Sequence, residues 1–210
     1  ESIRRHAPEM YQAYDADREA FVARWPVPQL RDKFEDAVAI YQRAFGVEPL
    51  VFRAACLGIG PSAYEAMYQV GLRYSSSRSV NPSSTGYVIT RKPELYPWHP
   101  DYSGVPFLEP PGVLEMPCME DLVIRGLAPG DFTMVLELFQ RDLEHYLQAL
   151  GQWPFGIFAC HYWAIGRDLL LVTRLYETLF DWLQTRGVQQ WTTFGAALQQ
   201  LDGGQLLGNN

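Results

Sequence analysis

The stretch FGVEPLVFRAACLGIGPSAYEAMYQVGLRYSSS, residues 45–77, decides how the rest of the chain is read. Its segment LVFRAACLGI (50–59) is a short apolar run, the pattern of a buried strand running into a loop. Gly60-Pro61-Ser62 then opens a helix; Ser62 and Glu65 have capping-box spacing, and Gly71 closes the helix after Val70. Leu72 to Ser76 reads as a second short strand. Upstream, residues 29–45 place Leu30, Phe34, Ala37, Val38, Tyr41 and Phe45 on one helical face, with Gly46 as the stop. Downstream, Asp131 is expected to cap a helix through Leu150 that Gly151 ends. FGIFACH (155–161) reads as a strand buried on both faces. Residues 167–186 form a long helix with Leu169, Val172, Leu175, Tyr176, Leu179, Phe180 and Leu183 inward, and WTTF (191–194) is a last strand before a short helix. Alternation of helix and strand argues for an α/β fold with a mostly parallel sheet, here a single domain over residues 1–210.

The segment 77–130 departs from this rhythm. It is dense in proline and glycine and reads as an elaborated loop region with short strands at 86–90, 113–116 and 121–125. Loops of this length inside a compact domain are usually functional.

Composition narrows the function classes. Of the 210 residues 48% are hydrophobic and 20% charged, the balance of a folded chain. Seventeen Lys and Arg against 24 Asp and Glu give 17 − 24 = −7, and a net-acidic surface repels phosphate backbones, so no nucleic-acid partner is expected. No apolar run approaches the roughly 20 residues that cross a bilayer, so no membrane span is expected either. The N-terminal residues are charged, without an apolar core or an initiator Met, and the reading expects a chain that is processed, cut or given in part. The compartment stays open between the cytoplasm and a secreted or periplasmic location. Three cysteines, Cys56, Cys118 and Cys160, make neither a disulfide framework nor a zinc cluster, and Cys56 and Cys160 are expected to be buried, inert thiols.

In parallel α/β folds sites form at the carboxyl ends of strands. Two polar residues stand there: Arg53, which interrupts LVFRAAC, and His161, which ends the most apolar strand. Read alone, His161 is first a hydrogen-bonded interior histidine and second a proton donor. Arg53 must find an anion or carbonyls; its plain structural reading is a pair with Glu115, Glu120 or Asp121. The histidines (His6, His99, His145, His161) show no HxxxH or HExxH spacing, so no local metal motif exists. GIGPS lacks a P-loop lysine, no G-x-S-x-G elbow occurs, and Ser75-Ser76-Ser77 reads as strand-end hydrogen bonding before nucleophile. Trp98, His99, Asp101 and Tyr102 either line a sugar site or pack a loop.

Taken in order, these segments resemble the NodB-homology polysaccharide deacetylase family. Residues 45–77 are similar to its "FG..P..FRAP" and "G..YDSS" phrases, GVLEMPCMEDL to its "GvlEiP" strand, and FGIFACHYWAIGRDLLLVTRLYETLFDWLQTRGVQQWTTFGAAL to its closing strand-end His, long helix and "vW.t..e" segment. The resemblance covers about residues 29–198. It implies a deformed (β/α) barrel whose first strand or strands are missing from this chain, and a divalent metal, usually zinc, bound by one Asp and two His. In that family a second Asp activates the metal-bound water against an acetamide. These residues lie in a "TFDDG" strand and an "H-S/T-x-x-H" loop, neither of which is present, so the metal ligands are not identified; a complementing N-terminal segment or chain would supply them. His6, with Met10 at i+4 and Ser2 at i−4, does not complete the histidine pair.

What the resemblance implies for this chain is residue-specific. Arg53 matches the arginine that orients the catalytic carboxylate, and His161 the general acid toward the leaving amine, with Asp121 as the nearest candidate partner of that histidine. Trp98, Tyr102 and Trp163 would line the substrate groove. The implied activity is metal-dependent hydrolysis of C–N bonds in an N-acetylated carbohydrate or small amide. The alternative is a non-catalytic carbohydrate-binding or interaction module on a degenerate deacetylase fold.

Overall fold

The computed structural model describes residues 24–54, 59–78, 80, 104–120, 127–160 and 168–200, together with Glu9 and Gln12. The chain divides into two compact units. One comprises Glu1–Arg78 and Pro106–Pro117, the other Ser79–Val105 and Cys118–Asn210. Both mix helices with short strands.

In the first unit, helix α1 (Val27–Phe45) starts behind Pro26, and Gly46 ends it at φ +71° with its N–H bonded to the Gln42 carbonyl. Val27, Leu30, Phe34 and Val38 turn toward the unit's core, as the helical spacing requires. The expected face does not continue. Tyr41 is exposed and Phe45 is 67% exposed, against the expectation that both point inward. At about 1.5 Å per residue α1 is some 28 Å long, whereas helix α2 (Pro61–Gln69), which packs against it, is nine residues. The last turns of α1 outrun that partner, and Tyr41 and Phe45 pack on each other instead, ring centroids 4.6 Å apart.

Helix α2 begins with Pro61 in its first turn after Gly60. Ser62 therefore lies inside the helix, and the Ser62–Glu65 spacing is not a capping box; the proline and its fixed φ set the start instead. The other end is a Schellman closure. Leu72 N–H bonds to the Met67 carbonyl at 2.9 Å and Gly71 N–H to the Tyr68 carbonyl at 3.2 Å, with Gly71 at φ +90°. That reversal delivers the chain into a strand parallel to the one before α2. Strands β1 (Val51–Phe52), β2 (Tyr74–Ser75), β3 (Phe107–Glu109) and β4 (Val113–Glu115) form one sheet in the order β1-β2-β4-β3. Strands β1, β2 and β4 are parallel, and β3 is antiparallel to β4. The expected strand at 113–116 is β4. Its hairpin partner β3 carries no signal in the sequence reading, and the expected strand at 86–90 lies outside the described residues.

In the second unit, β5 (Cys118–Glu120) pairs in parallel with β6 (Ile157–Ala159). The expected strand at 121–125 lies outside the described residues, whereas β5 just before it is an addition to the expected elements. A 3-10 turn (Pro129–Asp131) leads into α3 (Phe132–Leu150), and α4 (Leu169–Thr185) and α5 (Phe194–Gln200) follow. Asp168 caps α4 by accepting the Leu171 N–H at 3.0 Å. The core is apolar, with Met119, Phe139, Tyr146, Val172, Leu175 and Leu179 among its members. Of the seven residues expected to face inward on α4, Leu169 is exposed and Phe180 only half-buried.

Two further expectations fail in this unit. Residues 191–193 form no strand, because Thr193 acts as a helix cap: its Oγ1 accepts the Ala196 N–H at 3.2 Å and its carbonyl the Ala197 N–H at 3.0 Å. Among the described residues of the segment 155–161, which end at Cys160, only three are strand, of which Ile157 and Phe158 are half-buried, and Cys160 just beyond them is exposed rather than an inert core thiol. Cys118 is the buried one, and Cys56 lies outside the described residues. Among the described residues no helix is long and apolar enough to cross a membrane.

Phe139 is 0% exposed and Leu170 is 84% exposed. Phe139→Ala is expected to lower unfolding stability by about 3–5 kcal/mol and Leu170→Ala by less than about 0.5 kcal/mol, as read from urea denaturation midpoints.

Candidate functional site

Strands β1, β2 and β4 run parallel, so their carboxyl ends open on one edge of the first unit's sheet, the edge where α/β folds place ligands. Arg53 follows β1, Ser76 and Ser77 follow β2, and Glu115 is the last residue of β4. The register sets Ser75 beside Glu115. The chain beyond Ser75 therefore passes directly over the Glu115 side chain.

Glu115 is 0% exposed and its two oxygens are both engaged. Oε1 accepts the backbone N–H of Ser77 at 2.7 Å and of Arg78 at 3.0 Å; Oε2 accepts the Tyr64 hydroxyl at 2.9 Å. The Tyr64 hydroxyl is pushed above the ordinary tyrosine range, chiefly by burial and next by the negative charge of Glu115, with the Arg78 cation working in the opposite sense. The Arg78 guanidinium lies 5.8 Å from the Tyr64 ring centroid and 3.6 Å from Glu109, so this buried edge balances two carboxylates against a cation and a phenol.

The serines are consumed in the same bracket. Ser75 Oγ donates to Ser77 Oγ at 2.9 Å, and Ser77 Oγ also accepts the Ala54 N–H at 3.0 Å. Arg53 donates from Nε to the Ser76 carbonyl at 2.8 Å and from Nη2 to Ser76 Oγ at 2.7 Å. All three serines are buried, which removes them as nucleophiles and leaves the strand-end reading.

Arg53 is thus seated on Ser76 rather than paired with Glu115, and it is exposed rather than embedded. Glu115 is occupied by backbone N–H groups and Tyr64. Tyr64 is a residue that sequence reasoning missed, because on the buried face of α2 it reads as one more core aromatic. Of the other expected site residues, His161, Asp121, Trp98, Tyr102 and Trp163 lie outside the described residues, as do His6 and His99.

No group of three or more His, Cys, Asp or Glu that could hold a metal ion occurs among the described residues. Glu115, the buried acid at the end of β4, has three of its four acceptor sites taken by protein donors. The described residues therefore supply no ligand set for the zinc that the resemblance implies, whose ligands that resemblance places in other motifs. Compared with known proteins, the chain matches no family model, no curated protein and no solved structure.

Removing the Glu115 carboxylate strands two buried N–H groups and one phenol. Glu115→Ala is expected to cost on the order of 3 kcal/mol or more, and Glu115→Gln, which keeps an acceptor for Ser77 and Arg78, about 1–2 kcal/mol. Tyr64 adds a pH signature. Its folded-state hydroxyl holds its proton to higher pH than in the unfolded chain, so its contribution is complete below about pH 10 and is lost as pH rises beyond that. Above about pH 10 the native protein should lose stability more steeply than Tyr64→Phe, by up to about 1.4 kcal/mol per pH unit. Parallel slopes in urea unfolding between pH 9 and 11 would refute this.

Proposed function

We propose that the protein is a metal-dependent hydrolase of C–N bonds of the polysaccharide deacetylase type, built on a deformed (β/α) barrel and acting on an N-acetylated carbohydrate. One observation supports it above the others. The strand–helix–strand unit β1-α2-β2, followed by parallel β4, sets Arg53 and Glu115 at the carboxyl ends of parallel strands of one sheet, in the order in which the resembling motifs occur. Under this reading His161 protonates the departing nitrogen and Asp121 orients it, while Trp98, Tyr102 and Trp163 offer ring faces to the sugar. The metal would be held outside the described residues, and none of these roles is routed through it.

The test uses the natural protein, with metal content by elemental mass spectrometry and acetate release from chitin oligosaccharides on the same sample. The expected result is about one zinc per molecule, acetate release abolished by chelation, and a loss of about 10²-fold or more in His161→Ala. Neither metal nor acetate, with sugar binding retained, would replace the enzyme by a carbohydrate-binding module.

A further inference from the structure

Of the eleven large apolar side chains exposed among the described residues, five fall between positions 40 and 50: Ile40, Tyr41, Phe45, Val47 and Leu50. Single exposed apolar residues need no explanation, whereas a patch this dense marks an interaction surface. Its helical part is the second half of α1. Ala37, Ile40 and Ala44 are all exposed and recur at spacings of three and four, so they form one row along the helix. That row stands about a quarter-turn from Leu30, Phe34 and Val38, which face the unit's own core. The two alanines leave room on either side of Ile40, the knob-and-hole relief of a helix–helix seam.

The charges beside the row say what covers it. Asp36 and Arg43 each precede an alanine of the row, so both flank it on one side, while Tyr41 flanks the other. Both are exposed, and they lie about 10.5 Å apart along the axis, too far to pair. Neither forms an ion pair among the described residues, unlike Arg31, which Asp32 and Glu35 meet within α1. A covering helix must therefore bring an apolar knob between small residues, a cation opposite Asp36 and an acid opposite Arg43. The row carries those same groups in reverse order. A second α1 running antiparallel, with its Ile40 opposite Ala37, sets its Arg43 beside Asp36 and its Asp36 beside Arg43. Lys33, one turn before Ala37, then lies opposite the second copy's Ala44, with Glu48 of that copy one turn further on. A parallel copy would instead lay each charged flank on a Tyr41 flank and desolvate both charges unpaired.

We propose that this row of α1 is the contact surface for a second copy of the chain, the two helices crossing antiparallel about a two-fold axis. The proposal is independent of the hydrolase reading.

The experiment is sedimentation equilibrium of the natural protein over a series from about 1 to about 200 μM, the range in which a contact of this size associates. The mass is expected to rise from one chain to two. Ile40→Glu should weaken the dimer about tenfold or more, because it places a charge at the centre of the seam. Leu170→Glu, at an exposed leucine of α4, should leave it unchanged. Asp36→Arg and Arg43→Asp each set like charges opposite one another and should each weaken self-association about tenfold or more. Mixed in equal amounts, these two variants should associate within about threefold of the unaltered protein, since each supplies the charge that the other lacks. A single-chain mass at every concentration, which a row covered by another part of the chain would give, overturns the proposal. So does a dimer that survives Ile40→Glu, one that Leu170→Glu breaks, or a mixture of the two charge variants that stays monomeric. The concentration series on the unaltered protein keeps the proposal falsifiable should a variant fail to fold.

Discussion

The Glu115 carboxylate is the constraint on which the first unit is built. It is fully buried, and such a group is tolerated only when its lone pairs are met. Three of its four lone-pair sites are met, by donors from two places, the backbone beyond β2 and a side chain on α2. One side chain thus specifies where α2 lies against the sheet and how the chain leaves β2. Strands of two and three residues have few ladder bonds of their own. Their parallel arrangement depends on this lock and on the Schellman turn between α2 and β2 more than on pairing. A polar clasp of this kind is directional in a way that the surrounding Ala63, Ala66, Met67 and Val113 are not, because apolar contact rewards burial in many registers and three hydrogen bonds to one carboxylate reward a single one.

The second unit is held differently. Phe139, Leu143, Tyr146 and Leu150 on α3 meet Val172, Leu175, Leu179 and Leu183 of α4 in one cluster, and the period of about 3.6 residues alone dictates that meeting. Among its described residues the buried polar exception is Asp142, on α3 and 3.1 Å from Arg141. Here burial supplies the stability and the tyrosine contributes detail: the Tyr146 hydroxyl accepts the Ile157 N–H at 2.9 Å and so steadies the start of β6.

These two modes of construction explain what was legible in the sequence. Helix α4 follows from apolar periodicity, α2 from its Gly60-Pro61 opening, and α2, α3 and α4 alike from glycine stops that need no tertiary information. The outward turn of Tyr41 and Phe45 was not legible, because periodicity reports an apolar stripe and not the length of whatever packs on it. The β3–β4 hairpin escaped because a three-residue strand carries almost no alternation, and Trp191–Thr193 misled because a β-branched pair also caps helices. At the candidate site, Arg53 was visible as a charge in an apolar run. Its true partner, Ser76, was not, since a backbone carbonyl leaves no mark in a sequence and acids do. Glu115 stood out only as an ion-pair candidate, which it is not, and Tyr64 did not stand out at all.

The run Ser75-Ser76-Ser77 shows why this edge takes the form it does. Side chains alternate along extended backbone, so Ser75 and Ser77 share one side and bond each other, while Ser76 faces the other way and meets Arg53. The three hydroxyls serve different neighbours. Ser77 satisfies the N–H of Ala54 beyond β1, Ser75 satisfies Ser77, and Ser76 aims the guanidinium. A residue larger than serine would have to displace neighbours at positions with almost no exposed surface, and alanine at Ser77 or Ser76 would leave the Ala54 N–H or the Arg53 Nη2 without its acceptor. Three adjacent serines invite a catalytic reading, yet their burial and mutual bonding assign them to holding β1 against β2. The chemistry of the edge then falls to the group they hold, the Arg53 cation, whose remaining N–H groups no other described residue uses.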